Sequence, residues 1–462
     1  MGSFRILPSA LLLSVVAACS SGSGSDDGAT GGGNDIPVIE VPLDHDDGTA
    51  RPIAWAVDPI PNLYCWHPSH DDAVFTVSLT DRTTIAKVSR KDLMTPLYSS
   101  TKTFGADVYY VECPTVVDAS DGGAYVVGWL QRAAPGGTAA VGVGIARIAE
   151  DGSTVWSKTI SDAGKNGAGV SGVAVLSTGT LAVSFKTTPA PGSLEVEAWV
   201  IGYYDESGNE LGRTPVPDVH LSQYDHPGRG IADRSPGTGS AHPRALSALP
   251  GGGLLAAGTW DFLRYIQCGS EDDPEDPVTT SCSDGASNGF VAKIGPSFQV
   301  EWTARLGSAY STSPMVLTSV AAGSDGSVLA AGPLNVELRP TPGGGHLMGV
   351  AARLGSDGSV KWLNAYPWGR APGAGFFEGG TSIDAVVPAA SGGFDAMFHP
   401  SNESNCRVVH IDDGGNLSHV QEVKHPVGAA SGYAGPCLAS ALDGAMTFSI
   451  LGSFSRIERA SF

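Results

Sequence analysis

The chain has 462 residues, of which 62 Gly and 31 Pro make up about a fifth, against about 12% in average usage, which excludes long helical bundles. Only 16% of residues are charged and 42% are apolar, so a large core can form and general disorder is excluded. With 47 acidic and 27 basic residues, the formal net charge of −20 repels a polyphosphate backbone, and no nucleic-acid partner is expected.

Residues 1–18 read as a secretory signal: Arg5 gives a thin positive start, and Leu11-Leu12-Leu13-Ser14-Val15-Val16 is an apolar stretch too short to span a bilayer. It runs into Val16-Ala17-Ala18-Cys19, which resembles the bacterial lipoprotein lipobox. That resemblance implies lipidation of Cys19 and attachment to a membrane through the lipid. Ser20 after the Cys implies sorting to an outer membrane, facing the periplasm or the cell surface. Residues 19–35, rich in Ser, Gly and Asp, form a tether unable to bury apolar surface. The folded domain is expected over 36–462.

Within that domain a unit repeats. Residues 289–307 and 349–367 align without a gap, and 144–160 is a third copy; Trp302, Trp362 and Trp156 correspond. Each copy is two β-type runs joined by a turn, often Asp-Gly, the strongest short-range hairpin signal. A basic marker before Ile, Val or Leu recurs as Lys87, Arg147, Lys293, Arg353 and Arg456, with Tyr203 and His410 in degenerate copies. Upstream of each marker lies a second hairpin, such as Val116–Trp129 around Asp121-Gly122. Four-stranded units of roughly 45–60 residues describe the blades of a β-propeller. The expected fold is all-β, with seven blades. The last unit lacks a fourth strand, and residues 52–57, with Trp55 in the Trp position, are expected to complete it from the N-terminal side. Such closure removes two open sheet edges.

These hairpins are similar to bacterial β-propeller repeat families related to quinoproteins and beta-propeller-repeat lipoproteins. The resemblance implies fold more than function, since propellers host enzymes, binders and scaffolds. Quinoprotein dehydrogenases carry a docking motif ending Thr-Gly-Lys-x-x-Trp, whereas Asp151–Trp156 here lacks the Gly-Lys step. The repeated Trp residues are therefore expected to pack blades, and no cofactor is implied.

Six cysteines remain after Cys19, and an even count in an exported chain suggests disulfides. Of 15 possible connectivities, the first pair expected is Cys268 with Cys282, bracketing an acidic insertion; Cys65 with Cys113 on successive blades and Cys406 with Cys437 in the last two are further candidates. No C-x-x-C pair points to Zn. The longest insertion, between blades three and four, carries Asp218, His220, Tyr224, Asp225, His226, Arg229 and His242; others are Asp261–Asn288, and 368–380 with Trp368, Arg370, Phe376 and Phe377. All are read as loops on one face of a rigid scaffold, where binding residues concentrate. His67-Pro68-Ser69-His70 is read as a solvated turn. The acidic run Glu271–Asp276 lacks the spacing that wraps Ca²⁺, and nucleophile-elbow, phosphate-loop and His-Glu-x-x-His motifs are absent from the sequence. The expected function is that of a monomeric, lipid-anchored envelope propeller binding an envelope protein or glycan through this face. The alternative is an extracytoplasmic hydrolase or lyase acting on polysaccharide, with the histidines of the long insertion at its centre.

Overall fold

A computed structural model describes residues 37, 39, 63–69, 73–78, 84–89, 92–101, 104, 107–134, 137–163, 170–188, 198–216, 239–267, 281–307, 315–337, 345–366, 381–389, 391–400, 406–423, 438–442, 445–450 and 453–457. All lie in the unit Asp35–Phe462. The described elements are strands, and no helix among the described residues is long and apolar enough to cross a membrane.

The strands form seven antiparallel sheets that follow the chain. Sheet 1 is β1 (Leu63–Pro68), β2 (Ala73–Ser78), β3 (Thr84–Ser89) and β4 (Asp92–Thr101); sheet 2 is β5 (Val108–Tyr110), β6 (Thr115–Asp118), β7 (Ala124–Ala134), β8 (Gly137–Ile148) and β9 (Thr154–Ile160). Sheet 3 is β10 (Val170–Val175), β11 (Leu181–Lys186), β12 (Trp199–Tyr204) and β13 (Glu210–Pro215). Sheet 4 is β14 (Gly239–Ala248), β15 (Leu254–Gln267), β16 (Ser281–Ile294) and β17 (Val300–Leu306). Sheet 5 is β18 (Ser319–Ala322), β19 (Val328–Glu337), β20 (Gly345–Leu354) and β21 (Val360–Tyr366); sheet 6 is β22 (Thr381–Pro388), β23 (Phe394–Pro400), β24 (Cys406–Ile411) and β25 (Leu417–Val423). Sheet 7 is three-stranded, β26 (Leu438–Leu442), β27 (Ala445–Ile450) and β28 (Ser453–Ile457).

Each sheet is a meander in which successive strands pair, apart from β5 and β6 of sheet 2, so the connections between second and third strands and those between sheets leave from one end. The tight glycine turns sit at the other. The four-strand reading of the sequence holds for five sheets. In sheet 2 the first strand is broken into β5 and β6, which both pair with β7; Pro114, lacking an N–H, stands in the break.

Apolar clusters fill the spaces between consecutive sheets. Phe75, Tyr98, Tyr110 and Val126 join sheets 1 and 2; Tyr125, Ile145, Leu181 and Phe185 join 2 and 3. Ile201, Leu254 and Phe290 join 3 and 4, Leu255, Leu317 and Val350 join 4 and 5, and Leu329, Tyr366 and Phe398 join 5 and 6. The inner strands thus have two buried faces, which explains why they read as continuous apolar runs instead of alternating ones. On β11, Leu181, Val183 and Phe185 meet sheet 2 while Ala182 meets sheet 4. First strands neighbour one another in chain order, and the backbone of β26 also comes within 8 Å of β1.

The repeated Trp residues latch sheet 2 to 3, sheet 4 to 5 and sheet 5 to 6. Trp156 Nε1 donates to Glu206 O at 2.7 Å, Trp302 to Ser356 O at 2.9 Å and Trp362 to Asp413 O at 3.0 Å. Each indole also covers a glycine of that same turn, Gly208, Gly358 and Gly415, at φ of 83°, 80° and 83°. These tryptophans are packing groups, as the sequence suggested. The basic markers lie opposite them in register, Arg147 against Trp156, Lys293 against Trp302 and Arg353 against Trp362. Two markers bridge sheets: Lys87 Nζ reaches Asp118 at 3.0 Å, and Arg353 pairs with Asp413.

Residues 52–57, expected as the closing strand, lie outside the described residues. A different N-terminal contact is present: Ile39 N donates to Ala365 O and Ala365 N to Pro37 O, both at 2.8 Å, so this segment adds to the outer edge of β21.

Candidate functional site

Of the residues singled out in the sequence, His220, Tyr224, Asp225, His226, Arg229, Trp368, Arg370, Phe376 and Phe377 lie outside the described residues, as do Cys19, Cys268, Cys437 and the acidic run; of Cys282 and Cys406 only the backbone is described, on β16 and β24. Two expectations need correction. The insertion after Asp261 is not all loop: β15 and β16 stay paired out to Gln267↔Ser281. Residues 260–267 include Trp260, Phe262, Tyr265 and Ile266, residue types that suit a strand. His242 is likewise on strand β14, paired with Thr259 on β15, and so has a fixed position.

His242 enters β14 from the long insertion. Its imidazole stacks on the Trp199 indole of sheet 3, with ring centroids 3.8 Å apart and planes 16° apart. Loss of water around the ring, with Arg244 and Lys186 close by, pushes its pKa down to about 3. The ring is therefore neutral at physiological pH, with one nitrogen to donate and one to accept. Its Nε2 is shielded from water and finds no hydrogen-bond partner among the described residues.

Two more polar atoms at this end of sheet 4 share that condition. Thr259 Oγ1 and Asn288 Nδ2 are buried without hydrogen-bond partners among the described residues; their residues are 4% and 1% exposed. Register sets Thr259 opposite His242, and Asn288 opposite Trp260. The Arg305 guanidinium lies over the Trp260 ring, 4.2 Å from its centroid. A buried polar group without a partner costs about 1–3 kcal/mol, so three at one end of one sheet call for a partner such as an ordered water, an ion or a ligand group. The arrangement offers an aromatic stack, a hydroxyl, a carboxamide, a neutral imidazole and three cationic side chains, Lys186, Arg244 and Arg305.

A second cluster joins sheets 1 and 2. Cys65 on β1 is disulfide-bonded to Cys113, which stands between β5 and β6 with the Cα atoms 6.0 Å apart. His67, expected at a solvated turn, is on β1 and only partly exposed; burial pushes its pKa down to about 4. Its Nε2 lies 2.8 Å from Pro114 O and 3.4 Å from Cys113 Sγ. Pro114 O only accepts, so Nε2 carries the proton.

No family model and no curated protein sequence matches the chain. Among solved structures it is similar to polysaccharide lyase Uly1, at 10% identity over 92% of this chain and 97% of that one, with a TM-score of 0.45. It is also similar to an α-L-arabinofuranosidase from Fusarium graminearum, at 12% identity over 76% of this chain and 93% of that one, with a TM-score of 0.39. A third is a protein of unknown function from Bacteroides caccae, at 11% identity over 66% of this chain and 78% of that one, with a TM-score of 0.34. The activities named for these structures belong to those proteins.

Proposed function

We propose that this protein is an exported, lipid-anchored β-propeller of seven blades that binds an extracytoplasmic glycan at the loop-bearing end of sheets 3 and 4. Ring closure is supported by the approach of β26 to β1 and by a sheet 7 with three strands among the described residues, whose fourth place residues 52–57 would take. Export and anchoring rest on the signal-like segment and Cys19, with the Cys65–Cys113 bond consistent with an oxidising compartment.

The observation that carries the glycan reading is the unpartnered set of His242 Nε2, Thr259 Oγ1 and Asn288 Nδ2 beside the Trp199 stack. Sugars present hydroxyls that both donate and accept, and apolar ring faces that pack on aromatic groups. A site of neutral donors and acceptors beside an indole matches that chemistry. Lys186, Arg244 and Arg305 on a chain of net charge −20 favour a sugar bearing carboxylate or sulfate over a neutral one.

A polysaccharide lyase is the second reading, favoured by the state of His242. An anionic sugar that neutralises Arg244 and Lys186 removes part of what depresses the imidazole, so substrate binding itself would make the ring a better proton acceptor. The imidazole would take the proton α to a uronate carboxylate, and the bond to the leaving glycosidic oxygen would break to give an alkene.

The test is affinity electrophoresis of the full chain through gels holding a neutral, a uronate-containing or a sulfated polysaccharide, with His242→Gln and Asn288→Leu alongside. Retardation by an anionic gel, weakened about tenfold in Asn288→Leu at unchanged circular dichroism, is expected, the loss of one hydrogen bond being worth about 1.4 kcal/mol. Equal migration in all gels overturns the glycan reading. Ultraviolet-absorbing unsaturated products, lost in His242→Gln, distinguish the lyase from the binder.

A further inference from the structure

Cys65 Sγ, His67 Nε2 and Cys113 Sγ lie within 4.8 Å of one another. Cys65 and His67 are alternate residues of β1 and so share one face of that strand, and Cys113 belongs to the segment interrupted by Pro114. We propose that these three residues form a site for a thiophilic divalent cation such as Zn²⁺, which opens when the Cys65–Cys113 disulfide is reduced, so that bond and metal compete for the same two sulfurs.

The donor set is of the right kind. Two thiolates and one imidazole are the ligands that Zn²⁺ takes from proteins, and three of them leave the fourth tetrahedral position to water. Two thiolate charges cancel those of the ion, so no net charge enters a partly buried region. The Cα separation of 6.0 Å across the pair is short enough for both sulfurs to reach one ion about 2.3 Å away. The His67 Nε2–H now donates to Pro114 O; ligation moves that proton to Nδ1 and frees the Nε2 lone pair. Pro114 O is then placed to accept from water on the ion, an outer contact of the sort that fixes metal-bound groups.

The chemistry balances. A dithiol reductant attacks the bond through one thiolate, forms a mixed disulfide and is resolved by its second thiol. Two electrons and two protons pass to the protein, which gains two thiols, and the reductant leaves as its own disulfide. Binding of M²⁺ then releases both thiol protons to solvent. The ion would hold sheet 1 to sheet 2 where the covalent bond did.

The full chain is reduced, freed of reductant under anaerobic conditions and titrated with Co²⁺, whose thiolate charge-transfer absorption reports sulfur ligands. One equivalent is expected to bind with that absorption in the reduced protein, and the oxidised protein should lack it. His67→Gln, which keeps both cysteines and so folds with its disulfide intact, should bind at least about tenfold more weakly after reduction. Cys65→Ser/Cys113→Ser should lose the absorption assigned to this site, with the other cysteines unchanged. Absorption that survives in the double serine variant assigns the metal to other cysteines and overturns the proposal. A reduced chain with free thiols that binds no Co²⁺, or one that loses its β-type circular dichroism on reduction, overturns it as well.

Discussion

Phe298→Gly should destabilise the fold by about 3 kcal/mol, Gly212→Trp by about 2, and the two together by much less than their sum. At three interfaces the same arrangement recurs: a Trp on the last strand of one sheet covers a left-handed glycine in the last turn of the next. The pairs are Trp156 with Gly208, Trp302 with Gly358 and Trp362 with Gly415. Between sheets 3 and 4 the two roles are exchanged. Gly212 occupies the Trp position, opposite the marker Tyr203, and Phe298 occupies the glycine position, with φ at 62°. Its ring stacks on Tyr203 at 3.9 Å and lies over Gly212, where an added Cβ would meet Phe298 Cδ2 at 3.9 Å. Thr214 Oγ1 donates to Phe298 O at 2.5 Å.

The aromatic ring therefore reaches the same space from the opposite sheet. Removing Phe298 empties that space, the strain of about 1 kcal/mol at a non-glycine left-handed residue being relieved in part compensation. The Gly212→Trp change alone drives two rings into one place. The double variant rebuilds the arrangement of the other interfaces, so a coupling of about 2 kcal/mol or more toward stability is expected from urea unfolding of the four proteins. A coupling near zero would show that the two positions do not share one cavity.

This exchange also shows what the sequence conceals. The markers, Trp positions and glycine turns were legible because consecutive units pack against one another in the same way and so repeat the same residues. The third unit reads as a decayed copy, since Tyr203 and Gly212 depart from the pattern. Its compensation lies far beyond Gly212 in chain order, in Phe298 of the next unit, and only pairing between sheets reveals it. The paired hairpin of β15 and β16 was hidden by the acidic run and small residues that follow it, which read as loop. His242 was noticed for the insertion it borders, but Trp199, Thr259 and Asn288 were not. The position five residues before the marker does not single Asn288 out, because Arg82, Gly142, Ala198, Met348, Asn405 and Leu451 stand there in the other units and Asn405 is also a carboxamide.

Acid should unfold this protein earlier than its carboxylates alone require, and two histidines carry the difference. His67 and His242 are held at about 4 and about 3, against about 6.5 in an unfolded chain. Between those limits the unfolded state binds a proton at each ring that the folded state refuses, so stability rises with pH through this window and is lost as pH falls below about 6.5. Each group alone changes stability by up to about 1.4 kcal/mol per pH unit, or about 3 kcal/mol by pH 4. Because both rings keep some contact with solvent, roughly half of that is expected. Asp121, Asp325 and Asp412, held below the usual carboxylate range by hydrogen bonds and neighbouring cations, act in the same direction, but only at lower pH. The histidine share is thus separable. Urea midpoints of the wild type should fall between pH 7 and 4.5, and those of His67→Gln/His242→Gln should fall less, with the two curves converging in the acid range. The Gln at 67 can still donate to Pro114 O, so the variant tests titration and not the loss of that bond. Parallel curves across the whole range would mean that neither imidazole is desolvated in the folded protein, and with that the neutral state assigned to His242 at the proposed glycan site would fall too.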